Sequence, residues 1–141
     1  MSLPVGPEAC YCFAGRRAAR ALARLYDRHV APAGISISQF SILSMLGRNP
    51  GIAILDLAAI MVMERTTLVR ALRPLEGEGL VARRRAAGGR ALLLSLTPEG
   101  QAKLADTAPL WKAAQREFET LVGPDRARRM RQDGLEIALD F

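Results

Sequence analysis

The chain has 141 residues, half of them hydrophobic, and its 20 Lys and Arg against 14 Asp and Glu leave a net charge of +6. That length suits one domain with a real core; no apolar run approaches the roughly 20 residues that span a bilayer, and residues 1–10 lack the basic start and long apolar stretch of a secretory leader, so the expected compartment is the cytoplasm. Eighteen of the twenty cations are arginine, an excess that suits a polyanionic partner.

Helical periodicity opens at Pro7 and runs to Val30, with Ala18, Leu22, Leu25 and His29 on one face; Pro32 and Gly34 end it. His29, the only histidine, is read as a cap on the last carbonyls of that helix. Ser36 and Gln39 form a capping-box pattern. It opens a short helix through Phe40, Leu43 and Leu46, closed by residues 47–51. Residues 54–61 are helical again. A further helix starts at Arg65, with Leu68, Leu72 and Leu75 as its buried stripe. Pro74 is expected to kink or end it, and Arg73 to leave helical geometry.

Gly79 stops that helix and Leu80 starts a strand. Arg83, Arg84 and Arg85 climb to a turn at residues 86–89, where Gly88 and Gly89 offer positive φ. Residues 91–96 descend, with Leu92, Leu94 and Leu96 on one face. Thr97 caps a long helix with Pro98 at its first position. Its stripe is Leu104, Ala108, Trp111, Gln115, Phe118 and Val122, widened by Leu110, Ala114 and Leu121, and Pro109 is expected to bend it. After Gly123-Pro124 a last helix carries Leu135 and Leu139 on one side and Arg126, Arg128, Arg129 and Arg131 on its wet side. A long terminal helix apolar on two sides calls for a partner.

The centre of the chain is therefore a helix-turn-helix followed by a basic β-hairpin. A major groove about 12 Å wide admits one α-helix and displays a readable pattern of donors and acceptors. Arg65, Thr66, Thr67, Arg70 and Arg73 lie on the outward face of the second helix. Arginine suits guanine edges and phosphates because its donor fork is planar and always charged. Arg84, Arg85 and Arg90 sit near the hairpin tip, where a narrow minor groove would attract them. Each feature alone also fits a solvated helix face or a charged hairpin edge.

The segment resembles the winged helix-turn-helix of the MarR family of bacterial transcription regulators. The matching residues are Leu57-Ala58, Arg65 to Arg70, Leu75-Glu76, Glu78 to Val81, and Leu94 to Gly100, whose Leu-Thr-Pro-Glu-Gly run is the most specific. The resemblance implies a mainly α fold with a small β-hairpin wing. Residues 35–97 would form the DNA-binding lobe, between an N-terminal dimerisation helix at 1–34 and C-terminal dimerisation helices at 98–141. It implies a homodimer on double-stranded DNA with a pseudo-palindromic operator, half-sites about 10 base pairs apart, and regulation by a small molecule or by oxidation. The pocket would lie between the dimer helices and the DNA-binding lobe, with Tyr26, Phe40 and Trp111 near it, and would take a small aromatic or other apolar ligand. The family's usual Asp before the wing arginine is replaced here by Gly88 and Gly89.

Cys10 and Cys12 are the second point of interest. Two residues apart on a helix is about 200° of rotation, so they are not expected to share a metal or form a mutual disulfide. Cys12-Phe13 resembles the reactive-cysteine segment of the hydroperoxide-sensing branch of the family. In that branch two tyrosines hold the thiolate; Tyr26 stands at one of those positions and Ile37 at the other. The alternative is that both cysteines are small buried hydrophobes. No catalytic triad, metal site or phosphate-binding glycine loop is present in the sequence, so no enzyme and no cofactor are expected. Three readings stay open: a repressor released by a small ligand, a thiol-based redox regulator using Cys12, and a winged-helix protein-interaction module without DNA function.

Overall fold

The capping box at Ser36 forms as the spacing requires. Gln39 N–H donates to Ser36 Oγ at 3.2 Å and Ser36 N–H to Gln39 Oε1 at 2.9 Å. It opens the second of six helices in a computed structural model, which describes residues 5–139. The order is α1 (Tyr11–Val30), α2 (Ile37–Arg48), β1 (Ile52–Ala53), α3 (Ile54–Met61), α4 (Arg65–Gly77), β2 (Val81–Arg85), β3 (Leu92–Leu96), α5 (Pro98–Val122) and α6 (Pro124–Leu139). Short 3-10 turns lie at Gly6–Ala9 and Ala31–Ala33. The architecture is mainly α with a small sheet, a winged helix. Residues 1–4, part of the stretch read for a leader, and residues 140–141 lie outside the described residues. Among the described residues no single helix is long and apolar enough to cross a membrane.

The core sits in the helix-turn-helix lobe. Ile42, Leu43 and Leu46 of α2, Leu57 of α3, the Leu68, Leu72 and Leu75 stripe of α4, and Leu94 of β3 are all at most 2% exposed. Burying each such side chain contributes about 1.5–3 kcal/mol, and this stripe fixes which face of α4 turns outward.

The structure departs from the sequence reading at several points. The first helix begins at Tyr11, not Pro7, because Cys10 is extended (φ −88°, ψ 119°) and caps the helix from outside. α4 does not end at Pro74; it runs on to Gly77. Leu72 and Leu75 on either side of the ring are locked in the core, and their burial outweighs the hydrogen bond that proline removes. The wing is three-stranded, with β3 central: β1 pairs antiparallel with β3 (Ile52↔Leu94), and β3 with β2 (Val81↔Leu96). The second wing strand starts at Leu92 rather than Ala91, and of the two tip glycines only Gly88 takes positive φ, at 69°.

The joint between wing and long helix is tight. Thr97 Oγ1 accepts from Gly100 N–H at 3.0 Å and donates to Gly79 O at 2.5 Å. Thr97 N–H donates to Leu80 O at 3.1 Å. α5 runs unbroken through Pro109. His29 does not cap α1. Its Nε2 bonds Glu117 Oε2 on α5, because the C-terminal end of α1 packs against that longer helix.

Candidate nucleic-acid interface

α4 reaches its outward face by burying one leucine per turn. Arg65, Thr66, Thr67, Arg70 and Arg73 are all exposed. Val69, between them, is half-buried against the core. Arg73 stays within the helix, so it stands on the same face as Arg65, Thr66 and Arg70 rather than displaced by Pro74.

The hairpin register places the wing arginines. Arg83 lies opposite Leu94, Arg84 opposite Leu93 and Arg85 opposite Leu92. Side chains alternate faces along a strand. Arg83 and Arg85 therefore share the face of buried Leu94, and Arg84 points to the other. Arg83 is held by Glu76 of α4 at 3.4 Å, which ties the base of the wing to the end of α4. Arg85 Nη1 donates to the Arg90 carbonyl at 3.4 Å, a long contact across the turn. Among the described residues Arg65, Arg70, Arg73, Arg84, Arg85 and Arg90 make no ion pair. Six unpaired guanidinium groups on two adjoining elements form a surface suited to phosphates and base edges.

A groove of about 420 Å³ opens between α1, α2, α5 and α6. Leu22, Tyr26, Ile37, Trp111, Gln115 and Phe118 line it, and Arg128 and Arg131 of α6 stand at its edge. Tyr26 and Trp111 are thus brought together, as the sequence suggested. Phe40 is not in the lining: it is 7% exposed in the core and stacks beneath Trp111 with ring centroids 6.1 Å apart. The Tyr26 hydroxyl donates to Gln115 Oε1. Burial raises its pKa and the nearby Glu119 charge adds to this, against a lowering by Arg131, so the phenol keeps its proton.

Both cysteines are free and exposed rather than packed as small hydrophobes. Phe13 N–H donates to Cys10 Sγ at 3.3 Å. Since Cys10 lies outside the helix, the rotation that would hold it away from Cys12 does not apply. Tyr26 does not meet Cys12 within the chain: fourteen residues of α1 separate them by about 21 Å. Among the described residues no group of three or more His, Cys, Asp or Glu could hold a metal ion. The sequence reading missed the His29–Glu117 bond, which joins residues 88 apart in the chain, and the Arg83–Glu76 pair, which forms only because the chain turns back from α4 into β2.

A family model described as MarR family matches residues 35–88. Among solved structures, the M. tuberculosis transcriptional regulator MosR in complex with DNA is 37% identical, with 93% of this chain and 97% of that chain covered and a TM-score of 0.80. The transcriptional repressor CouR bound to a 23-mer DNA duplex is 29% identical, covers 98% and 99%, and has a TM-score of 0.82. CouR bound to p-coumaroyl-CoA is 29% identical, covers 99% and 100%, and has a TM-score of 0.83. No curated protein matches the chain.

Proposed function

The chain belongs to the MarR family, and from that membership we propose that it is a homodimeric, sequence-specific DNA-binding transcriptional regulator, a repressor released by a small apolar ligand. The observation that carries this reading is the set of unpaired arginines on α4 and the wing tip. Each protomer sets residues 65–70 of α4 in a major groove, with Arg73 on phosphate and Arg90 in the adjacent minor groove. DNA-bound MosR and CouR support it. Dimerisation is supported by apolar side chains that one protomer leaves bare: Leu121 is 65% exposed, Leu135 68% and Leu139 85%. The role is regulatory rather than enzymatic, and its compartment is the cytoplasm.

The ligand site is the groove beside Tyr26 and Trp111. The p-coumaroyl-CoA held by CouR supports a ligand with an aromatic ring. A ligand that fits one spacing of the two α4 helices better than the other shifts the dimer toward that spacing, and DNA is released when it is the wrong one. The test is a binding titration against the chain's own upstream DNA at two salt concentrations, with random DNA as competitor. Affinity falls steeply with salt and Arg70→Ala weakens specific binding by about 1–3 kcal/mol. Affinity indifferent to salt and to Arg70→Ala would sink the reading in favour of an acidic protein partner for the wing.

A second reading is favoured by the exposure of both thiols and by the Phe13 N–H at Cys10 Sγ. An exposed thiol is open to attack on an oxidant. A hydroperoxide takes Cys12 to the sulfenic acid and is itself reduced to the alcohol. Cys10 then displaces water to close a disulfide. Bridging the two unwinds the first turn of α1, inside the layer assigned to dimerisation.

A further inference from the structure

The turn between α3 and α4 holds the one non-glycine residue with positive φ among the described residues: Val62, at φ 53° and ψ 49°. Its N–H bonds Ala59 O at 3.2 Å, and Met63 N–H bonds Ala58 O at 2.9 Å. That pair of bonds is the Schellman ending of a helix, and its left-handed seat is usually filled by glycine. A β-branched side chain is the least comfortable occupant of such a seat.

The isopropyl group is no part of the hydrophobic core. Met61 and Met63 on either side pack against the core. Val62 points away, 67% exposed. Glycine would close the turn with less strain, so what valine adds here is an apolar surface held outside. Its place gives that surface a meaning. Val62 stands two residues before Glu64, the N-cap of α4, and α4 opens with exposed Arg65, Thr66 and Thr67. In a helix-turn-helix the N-terminal residues of the second helix meet the base edges. The one apolar feature displayed in a major groove is the thymine methyl group.

We propose that Val62 is a specificity-determining residue that packs its isopropyl group on a thymine methyl at the edge of each half-site. This rests on the DNA-binding reading. The strain at the turn is then local backbone cost retained at a functional position.

The test needs an operator selected from random duplexes by the wild-type protein. It is then remade with uracil for thymine, which removes only the methyl groups. Val62→Gly should weaken binding to the thymine operator about fourfold, the equivalent of one buried methyl-sized group. Uracil should weaken the wild type by a similar factor, and the two losses should not add. Val62→Gly should also melt no lower than the wild type. Equal loss on both operators, or no loss on either, overturns the proposal. Arg70→Ala run beside it separates the two failures. If no duplex is enriched, or if Arg70→Ala binds the operator like wild type, the DNA-reading assignment of α4 has failed and Val62 falls with it. If Arg70→Ala weakens binding and Val62→Gly does not, only the Val62 role is wrong.

Discussion

Gly100→Ala should destabilise the protein although it places alanine in a helix. Gly100 lies in the first turn of α5, buried, and an added Cβ would stand 2.0 Å from Leu80 O and 3.2 Å from Leu96 Cδ2. The first contact is with backbone, and that carbonyl is already pinned by the Thr97 N–H at 3.1 Å. Overpacking a well-filled site costs about 1–3 kcal/mol, and a backbone obstacle puts this case at the upper end. Alanine returns up to about 1 kcal/mol through helix propensity. The net loss is about 2 kcal/mol, which lowers Tm by about 6 °C in a chain of this size. Gly77→Ala is the control: it ends α4 in open space, so the same substitution should gain about 0.5 kcal/mol. Urea unfolding at fixed protein concentration reads both, since the stability of any oligomer depends on concentration. Equal signs for the two substitutions, or a Gly100→Ala protein as stable as wild type, would refute the argument.

Arg90→Ala should reduce the slope of log affinity against log salt by about one while leaving sequence preference at the α4 positions intact; an unchanged slope in fluorescence titrations removes Arg90 from the interface. Glu117 is held below its ordinary pKa of 4.5, first by the hydrogen bond from His29. A carboxylate with a depressed folded pKa stabilises fully above its unfolded pKa and loses that contribution as pH falls through the folded one. The stability difference between wild type and Glu117→Gln should therefore be present just above pH 4.5 and shrink below it; a difference growing toward acid would contradict the assignment. Treatment with an organic hydroperoxide should lower operator affinity in wild type, and Cys12→Ser should abolish the effect, with mass spectrometry showing loss of two hydrogens across Cys10 and Cys12. Release that persists in Cys12→Ser would overturn the thiol reading.

What the sequence made legible was whatever a local signal carries. The capping box at Ser36, the leucine stripe of α4 and the Thr97-Pro98 start of α5 each depend on residues within one or two turns. β1 was invisible because two residues cannot show alternation; its strand geometry comes from Leu94, forty-odd positions on. Pro74 misled because the local rule was sound and lost to tertiary burial of Leu72 and Leu75. Cys10 misled in the other direction. Helical spacing was extended four residues too far, which put Cys10 inside the helix that it in fact caps. In the site, the outward arginines of α4 followed from its buried stripe. The groove did not, because its walls come from four helices.

On the proposed function, the joint at Thr97 is the mechanical link between that groove and α4. Trp111, Gln115 and Phe118 of the groove belong to α5, and the first turn of the same helix is bolted to the end of the reading unit. Thr97 bonds Gly79 O and Leu80 O, and Gly100 is packed so closely on Leu80 that not even a methyl group fits. Leu80 and Gly79 directly follow α4, and Glu76 of α4 holds Arg83 of the wing. A joint with no slack cannot absorb a displacement of α5. On the proposed function, a displacement of α5 at the groove carries α4 and the wing with it as one body. This predicts that loosening the joint uncouples the sites: Thr97→Ala, which loses the bond to Gly79 O, should keep operator affinity at low ligand yet blunt release by ligand. Full release in Thr97→Ala would show that the signal travels by another route.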